Sequence, residues 1–295
     1  MREVAFGSLL TAMVTPFNED GEVNYKKAGA LAEKLAREGS DAIVVGGTTG
    51  ESPTLSREER SRLLDAVLEV VGHSLRVVAG TGTNCTRDSV ELSKMAERAG
   101  AHGLMLVTPY YNKPPQGALV SHFKAVAEST GLPIMLYNVP GRTGVNMTPE
   151  TVQKVSEIPN IIALKEAAGS LDQASEIAQG MPETFTLYSG DDSLTLPMLA
   201  VGASGVVSVA SHVAGLEIKA MIQDYQAGRV AQARERHLRL FPLFKALFIT
   251  TNPIPVKAAL EIAGFRAGGV RLPLTAASGE QRETIRGAML KAGVL

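Results

Sequence analysis

The stretch NIIALKEAAG, residues 160–169, ends an apolar run with a lysine: Ile161, Ile162, Ala163 and Leu164 precede Lys165, and Glu166 follows at once. Burying an ammonium costs several kcal/mol unless it is paired or gives up its proton. One reading is that the methylenes of Lys165 lie on the core and the head group reaches water. The other is chemical. A lysine held in an apolar interior has a lowered pKa and attacks a carbonyl as the free amine. Tyr137, which closes a similar apolar run, could move protons for carbinolamine formation and collapse. The protonated imine is an electron sink, so an adjacent carbon can lose a proton and attack as an enamine. That is Schiff-base chemistry on a small keto acid.

Other polar residues follow apolar runs in the same way. GGTTGES (46–52) offers Thr48 and Thr49. It lacks the GK[ST] ending of a nucleotide-binding loop, but its amides could receive a small carboxylate. TPYYNKPP (108–115) carries Tyr110 and Tyr111, either packing aromatics or interface anchors. Arg142, in the loop sequence NVPGRTG, is either a surface charge or a fork for a substrate carboxylate. SGDD, around Gly190, holds Asp191 and Asp192, a metal-binding pair or, as is commoner for a lone DD, a helix N-cap. Val207 stands in GVVSV. Each has an ordinary structural explanation alone; their shared placement relative to Lys165 favours a site.

The elements that must position them repeat along the chain. Strand candidates are 9–14, 42–46, 76–80, 103–107, 133–137, 161–165, 184–189 and 205–209. Their apolar continuity suits strands buried on both faces, as in a parallel sheet. Helical patterns lie between them, as at 25–39, 56–72 and 86–100. Ser56 stands three residues before Glu59, a capping-box spacing, and Gly39 and Gly100 sit where helix C-caps would. Eight such units predict an α/β fold, a (β/α)8 TIM barrel over residues 1–226, with a C-terminal helical appendage over 227–295. A doubly wound open sheet is the alternative, and the absence of a dinucleotide fingerprint weighs against it. In a barrel of this kind the strand ends converge on one rim, which gathers all the residues above.

Composition narrows the function classes. The 295 residues are 45% hydrophobic and 20% charged with a formal net charge of −1, so neither a nucleic-acid face nor another polyanion site is expected. No run is long enough to span a bilayer and MREVAFGSLL lacks the apolar core of a secretory signal, which predicts a cytoplasmic protein without membrane attachment. The single cysteine, Cys85, excludes an intramolecular disulfide framework, and the five histidines are scattered. No metal site and no cofactor are expected.

The motifs AMVTPF (12–17), GGTTGES, GTGTN (80–84), VTPYYNKP (107–114), LYNVPGRTG (136–144), ALKEA (163–167), SGDD, GVVSV and NPIPVK (252–257) closely resemble the dihydrodipicolinate synthase family of pyruvate-dependent Schiff-base aldolases. They run in family order from end to end, and YYNKP with YNVPGRTG is the most discriminating pair. The resemblance implies a lyase that condenses pyruvate with aspartate 4-semialdehyde in lysine and diaminopimelate biosynthesis. It implies Lys165 as the imine lysine and Tyr137 as proton shuttle, flanked by Thr48 and by Tyr111 from a neighbouring subunit. Thr48 and Thr49 would take the pyruvate carboxylate and Arg142 that of the semialdehyde, with the Gly190 and Val207 backbones lining the pocket. Val207 departs from the isoleucine common in relatives.

The resemblance further implies a homo-oligomer, a tetramer built as a dimer of dimers. It implies an allosteric lysine site between subunits at Ser52, Asn84, Asp88 and Tyr110. Arg57 and Arg60 stand where lysine-sensitive members can carry histidines, and Asp88 where a glutamate would reach the ligand, so weak or absent inhibition by lysine is expected. The nearest rival is a superfamily aldolase that cleaves a longer sugar acid to pyruvate, which has no need of a carboxylate clamp at Arg142. A non-catalytic barrel would leave the joint presence of lysine, tyrosines, threonines and arginine unexplained.

Overall fold

The computed structural model describes residues 5–295. Among them the strands are β1 (Leu9–Ala12), β2 (Ala42–Val45), β3 (Arg76–Gly80), β4 (Gly103–Val107), β5 (Ile134–Asn138), β6 (Ile161–Glu166), β7 (Thr186–Ser189) and β8 (Gly205–Ser208). Each pairs in parallel with the next, and β8 returns to β1 with Val207 opposite Leu10, closing the barrel. The closed order β1 to β8 excludes the open-sheet alternative. The observed strands match the apolar runs within two residues at each end. β1 stops at Ala12 rather than Val14, although the Met13 N–H still donates to the Val44 carbonyl at 3.0 Å.

Side chains alternate between two apolar layers, as the two-residue period of a strand requires. Leu10, Val44, Val78, Met105, Met135, Ala163, Tyr188 and Val207 fill the barrel interior. Their neighbours Leu9, Ile43, Val77, Leu104, Leu136 and Leu164 face outward against helices. This parity decides where Lys165 points. It lies two residues beyond Ala163, and it is paired in register with Tyr137 on one side and Tyr188 on the other.

The outer layer comprises α1 (Tyr25–Arg37), α2 (Arg57–Val71), α3 (Thr86–Ala99), α4 (Gln116–Ala127), α5 (Pro140–Thr143), α6 (Pro149–Ser156), α7 (Leu171–Gly180), α8 (Thr195–Ala200) and α9 (Ser211–Gln226). In α1, Ala28, Leu31, Ala32 and Leu35 are buried at helical spacing, and each leucine contributes about 1.5–3 kcal/mol by leaving water. The Ser56–Glu59 capping box at the start of α2 is present in full. Gly100 ends α3 in the left-handed conformation, while α1 ends one residue earlier than expected, capped by Glu38 with left-handed Gly39 next.

Three further helices follow, α10 (Val230–Ala246), α11 (Ile254–Ile262) and α12 (Gly279–Ala292). α10 packs on α9 and α12, and α11 on α12 and α9. Arg236 of α10 bridges Asp224 and Glu217 of α9 at 2.9 and 2.8 Å. The appendage also reaches the loop after β2. Lys257 pairs with Glu51 at 2.7 Å with both side chains almost wholly buried, and the Arg271 N–H donates to the same carboxylate at 2.9 Å. His212 works as a joint between strand ends: its Nε2 accepts from the Val14 N–H and its Nδ1 therefore donates to the Val209 carbonyl. Burial brings its pKa down to about 4 and keeps the ring neutral.

Candidate active site

Lys165 ends β6 inside the barrel and is 5% exposed. Its Nζ stands 4.1 Å from the centroid of the Tyr137 ring, on the adjoining β5. Among the described residues no carboxylate pairs with it. Burial is the dominant influence and brings its pKa down to about 8, opposed by the charges of Asp191 and Asp192 and reinforced by that of Arg142. The free amine is therefore far more accessible near neutral pH than for an exposed lysine. Burial pushes the Tyr137 hydroxyl up to about 12, although a hydrogen bond with Thr48 and the charge of Arg142 oppose it. Tyr137 thus keeps its proton at neutral pH and can pass it along the bond to Thr48.

Thr48 and Thr49 stand in the turn after β2. Gly46 opens it at φ +68°, where a Cβ would be strained, and Glu51 closes it in the same left-handed region. The Gly50, Glu51 and Ser52 amides donate to the Gly47 and Thr48 carbonyls within the turn. Thr49 is buried, and its hydroxyl oxygen accepts from Asn252 Nδ2 at 2.8 Å. An oxygen held in that way leaves its own hydrogen to be donated elsewhere.

Arg142 lies on α5, one turn of helix rather than the expected loop. Pro140 starts that turn and Gly144, at φ +71°, ends it. The exposed guanidinium donates from Nη2 to the Asn252 carbonyl at 3.4 Å. A cavity of about 570 Å³ has Thr48, Arg142, Tyr110, Ser52 and Arg60 on its wall, with Tyr111 at its lip. Lys165 and Tyr137 are not on that wall; Thr48, bonded to Tyr137, connects the two levels.

The SGDD expectation holds in position but not in bonding: Asp191 stands at the N-cap of a short 3₁₀ turn over Asp192–Leu194 but makes no side-chain cap bond. Buried Asp192 instead accepts from Ser208 Oγ and from the Val209 and Ala210 N–H groups, at 3.0 and 2.9 Å for the amides, fastening the end of β8. Gly190 approaches β6 so closely that a Cβ there would meet the Ala167 Cβ at 2.6 Å. Its N–H donates to the Glu166 carbonyl at 2.7 Å. Val207 is wholly buried in the interior layer.

Tyr111 is not at the amine. It is 88% exposed with φ +71°, projecting from the rim. Of the four residues expected to bind lysine, Ser52 and Tyr110 share the cavity wall, with Arg60 beside them. Asn84 and Asp88 do not line it. The Asn84 main-chain carbonyl accepts from Asn112 Nδ2 at 2.9 Å, and the Asp88 side chain pairs with Arg57 at 2.6 Å. Arg60 is anchored on the Ser52, Leu55 and Gly80 carbonyls. Sequence reading assigned nothing to Asn252, Glu51 or Lys257. The one signal was the presence of Asn252 and Lys257 in NPIPVK and Glu51 in GGTTGES. A second cavity, about 370 Å³, lies between barrel and appendage near Lys257, Arg266 and Arg282. None of the residues given a chemical role lines it.

The model of the Dihydrodipicolinate synthetase family matches residues 5–292. A 4-hydroxy-tetrahydrodipicolinate synthase from Desulforamulus reducens is 53% identical over 290 residues, 98% of this chain and 98% of that one. The crystal structure of the Cyanidioschyzon merolae enzyme with lysine bound superposes with a TM-score of 0.98 at 49% identity, covering 99% of this chain and 100% of that one. A dihydrodipicolinate synthase from Bacillus anthracis gives a TM-score of 0.95 at 49% identity, covering 97% and 98%. With a closed barrel, a buried amine at its rim and a match from end to end, the chain belongs to the dihydrodipicolinate synthetase family.

Proposed function

We propose that Lys165 forms an imine with pyruvate, and that the derived enamine condenses with L-aspartate 4-semialdehyde to give 4-hydroxy-tetrahydrodipicolinate. The family membership carries the reaction. The buried, unpaired Lys165 amine over Tyr137 carries the assignment of residues. The free amine adds to the keto carbon. Tyr137, relayed through Thr48, donates the proton with which the carbinolamine loses water. Loss of a methyl proton gives the enamine, whose carbon attacks the aldehyde of the second substrate. Its amino group then adds to the imine carbon, closes the ring and releases Lys165.

Thr48 and Thr49 bind the pyruvate carboxylate through the turn, and Arg142 binds that of the semialdehyde. The Gly190 and Val207 backbones border the reacting carbons. Tyr111 completes the relay in a neighbouring subunit, a role that its exposure at the rim supports. The functional unit on this reading is a homotetramer, a dimer of dimers, working in the cytoplasm. Among the described residues no helix is long and apolar enough to cross a membrane. Inhibition by lysine is weak, because Arg57 already occupies Asp88 and Arg60 presents a second fixed cation beside Tyr110.

Borohydride reduction in the presence of pyruvate tests the assignment: a stable adduct is expected on the Lys165 peptide and turnover of semialdehyde in a coupled assay. An adduct on a different lysine, or no turnover with semialdehyde, overturns it.

A further inference from the structure

Thr49 and Arg142, which hold the two substrate carboxylates on the reading above, meet at one residue that neither the barrel nor the rim loops supply. The side-chain amide of Asn252 donates to Thr49 Oγ1 at 2.8 Å, and its main-chain carbonyl accepts from Arg142 Nη2 at 3.4 Å. Asn252 is 6% exposed, and among the described residues no donor reaches its Oδ1. A residue that merely filled space here would not bury an unsatisfied acceptor. The same segment holds the far end of the turn, since Lys257 pairs with Glu51 at 2.7 Å.

We propose that Asn252 is a positioning residue for pyruvate, acting through Thr49: its amide N–H fixes the Thr49 oxygen as an acceptor, so that the hydroxyl hydrogen points to the substrate carboxylate. The proposal rests on the assignment of Thr49 to pyruvate. It has a consequence specific to hydrogen-bond polarity. An aspartate at this position, equal in size, has no N–H to give, and Thr49 would donate to it instead of to the substrate. The new charge would also oppose a carboxylate nearby.

The experiment follows adduct formation on Lys165 by borohydride trapping across pyruvate concentrations, with no second substrate. Asn252→Ala is expected to raise the half-saturating pyruvate concentration about tenfold, the worth of one hydrogen bond to a charged ligand's donor. The adduct should remain stoichiometric at saturation. Asn252→Asp is expected to raise it further. Thr49→Val should act like Asn252→Ala, and the double variant Thr49→Val/Asn252→Ala should be no worse than Thr49→Val alone. In the coupled assay the KM for semialdehyde should move less than that for pyruvate, because Arg142 rests on a main-chain carbonyl that both substitutions keep. If Asn252→Ala does not fold, Asn252→Leu, neutral and close in shape, carries the same cycle with Thr49→Val. Additive effects, equal consequences of Ala and Asp, or both KM values rising together overturn the proposal alone. A Thr49→Val enzyme with unchanged pyruvate saturation overturns the assignment beneath it, and the proposal falls with that assignment.

Discussion

The protein buries two lysines in two regions, and they differ in a way that separates chemistry from architecture. Lys165 lies in the barrel interior and Lys257 under the appendage, each 5% exposed. Each ammonium stands over an aromatic ring, Tyr137 at 4.1 Å and Phe17 at 4.2 Å. Burial brings both down to about 8. Lys257, however, is fully engaged, with Glu51 at 2.7 Å and the Gly269 carbonyl at 2.6 Å. Among the described residues no carboxylate contacts Lys165, and the ring beneath it carries a hydroxyl bonded to Thr48. A perturbed pKa and low exposure therefore do not by themselves make a nucleophile. An open lone pair and a proton carrier beside it do.

The comparison can be broken most directly at the lysines themselves. Lys165→Ala should lower kcat by about a thousandfold or more and abolish the borohydride adduct, since covalent catalysis has no substitute there. Should the wild-type protein show a second pyruvate adduct on Lys257, the contrast fails. Lys257→Ala is next in size. It strands Glu51 without its cation, and denaturant melts should report a loss of about 3–5 kcal/mol, with one adduct per chain still forming on Lys165 in the folded fraction. A variant as stable as the parent would show that the pair is not structural.

The rings sharpen the contrast further. Tyr137→Phe keeps the aromatic face beneath the ammonium and removes only the hydroxyl. A fall in kcat of about a hundredfold, at near-normal thermal stability, is expected from lost proton transfer. Retained turnover would assign the shuttle to another group. The last effect is in pH, graded at about tenfold per unit. The pKa of about 8 is that of a group with its proton below and none above. The trapping rate at limiting pyruvate should therefore climb about tenfold per pH unit below 8 and level off above it. A flat profile from pH 6 to 9 would mean that the amine is already free.

Much of this was legible in the residues because strand periodicity is local. Lys165 and Tyr137 each end an apolar run, and counting by twos from Ala163 and Met135 places both inside. The Ser56–Glu59 box is likewise written within one turn of sequence. Arg142 was misplaced because a single helical turn between Pro140 and Gly144 is too short to show a period. Asp192 was misread since its acceptor role joins it to amides 17 and 18 residues away. Asn252 was readable only as the first residue of NPIPVK, with nothing to say what it touches, its partner Thr49 being 203 residues off. Asp88 looked available until Arg57, 31 residues earlier, was seen to hold it. Side chains that act across such separations are fixed by packing, which local pattern does not encode.

The bond from Asn252 to Thr49, and that from Lys257 to Glu51, also set an order in time. During synthesis all eight strands and Lys165 leave the ribosome before residue 252 does. On the proposed assignment of Thr49 to the keto acid's carboxylate, a nascent barrel presents the Lys165 amine before the Asn252 contact that completes the cradle can form, so the order of synthesis puts the finishing of the site after the folding of its strands.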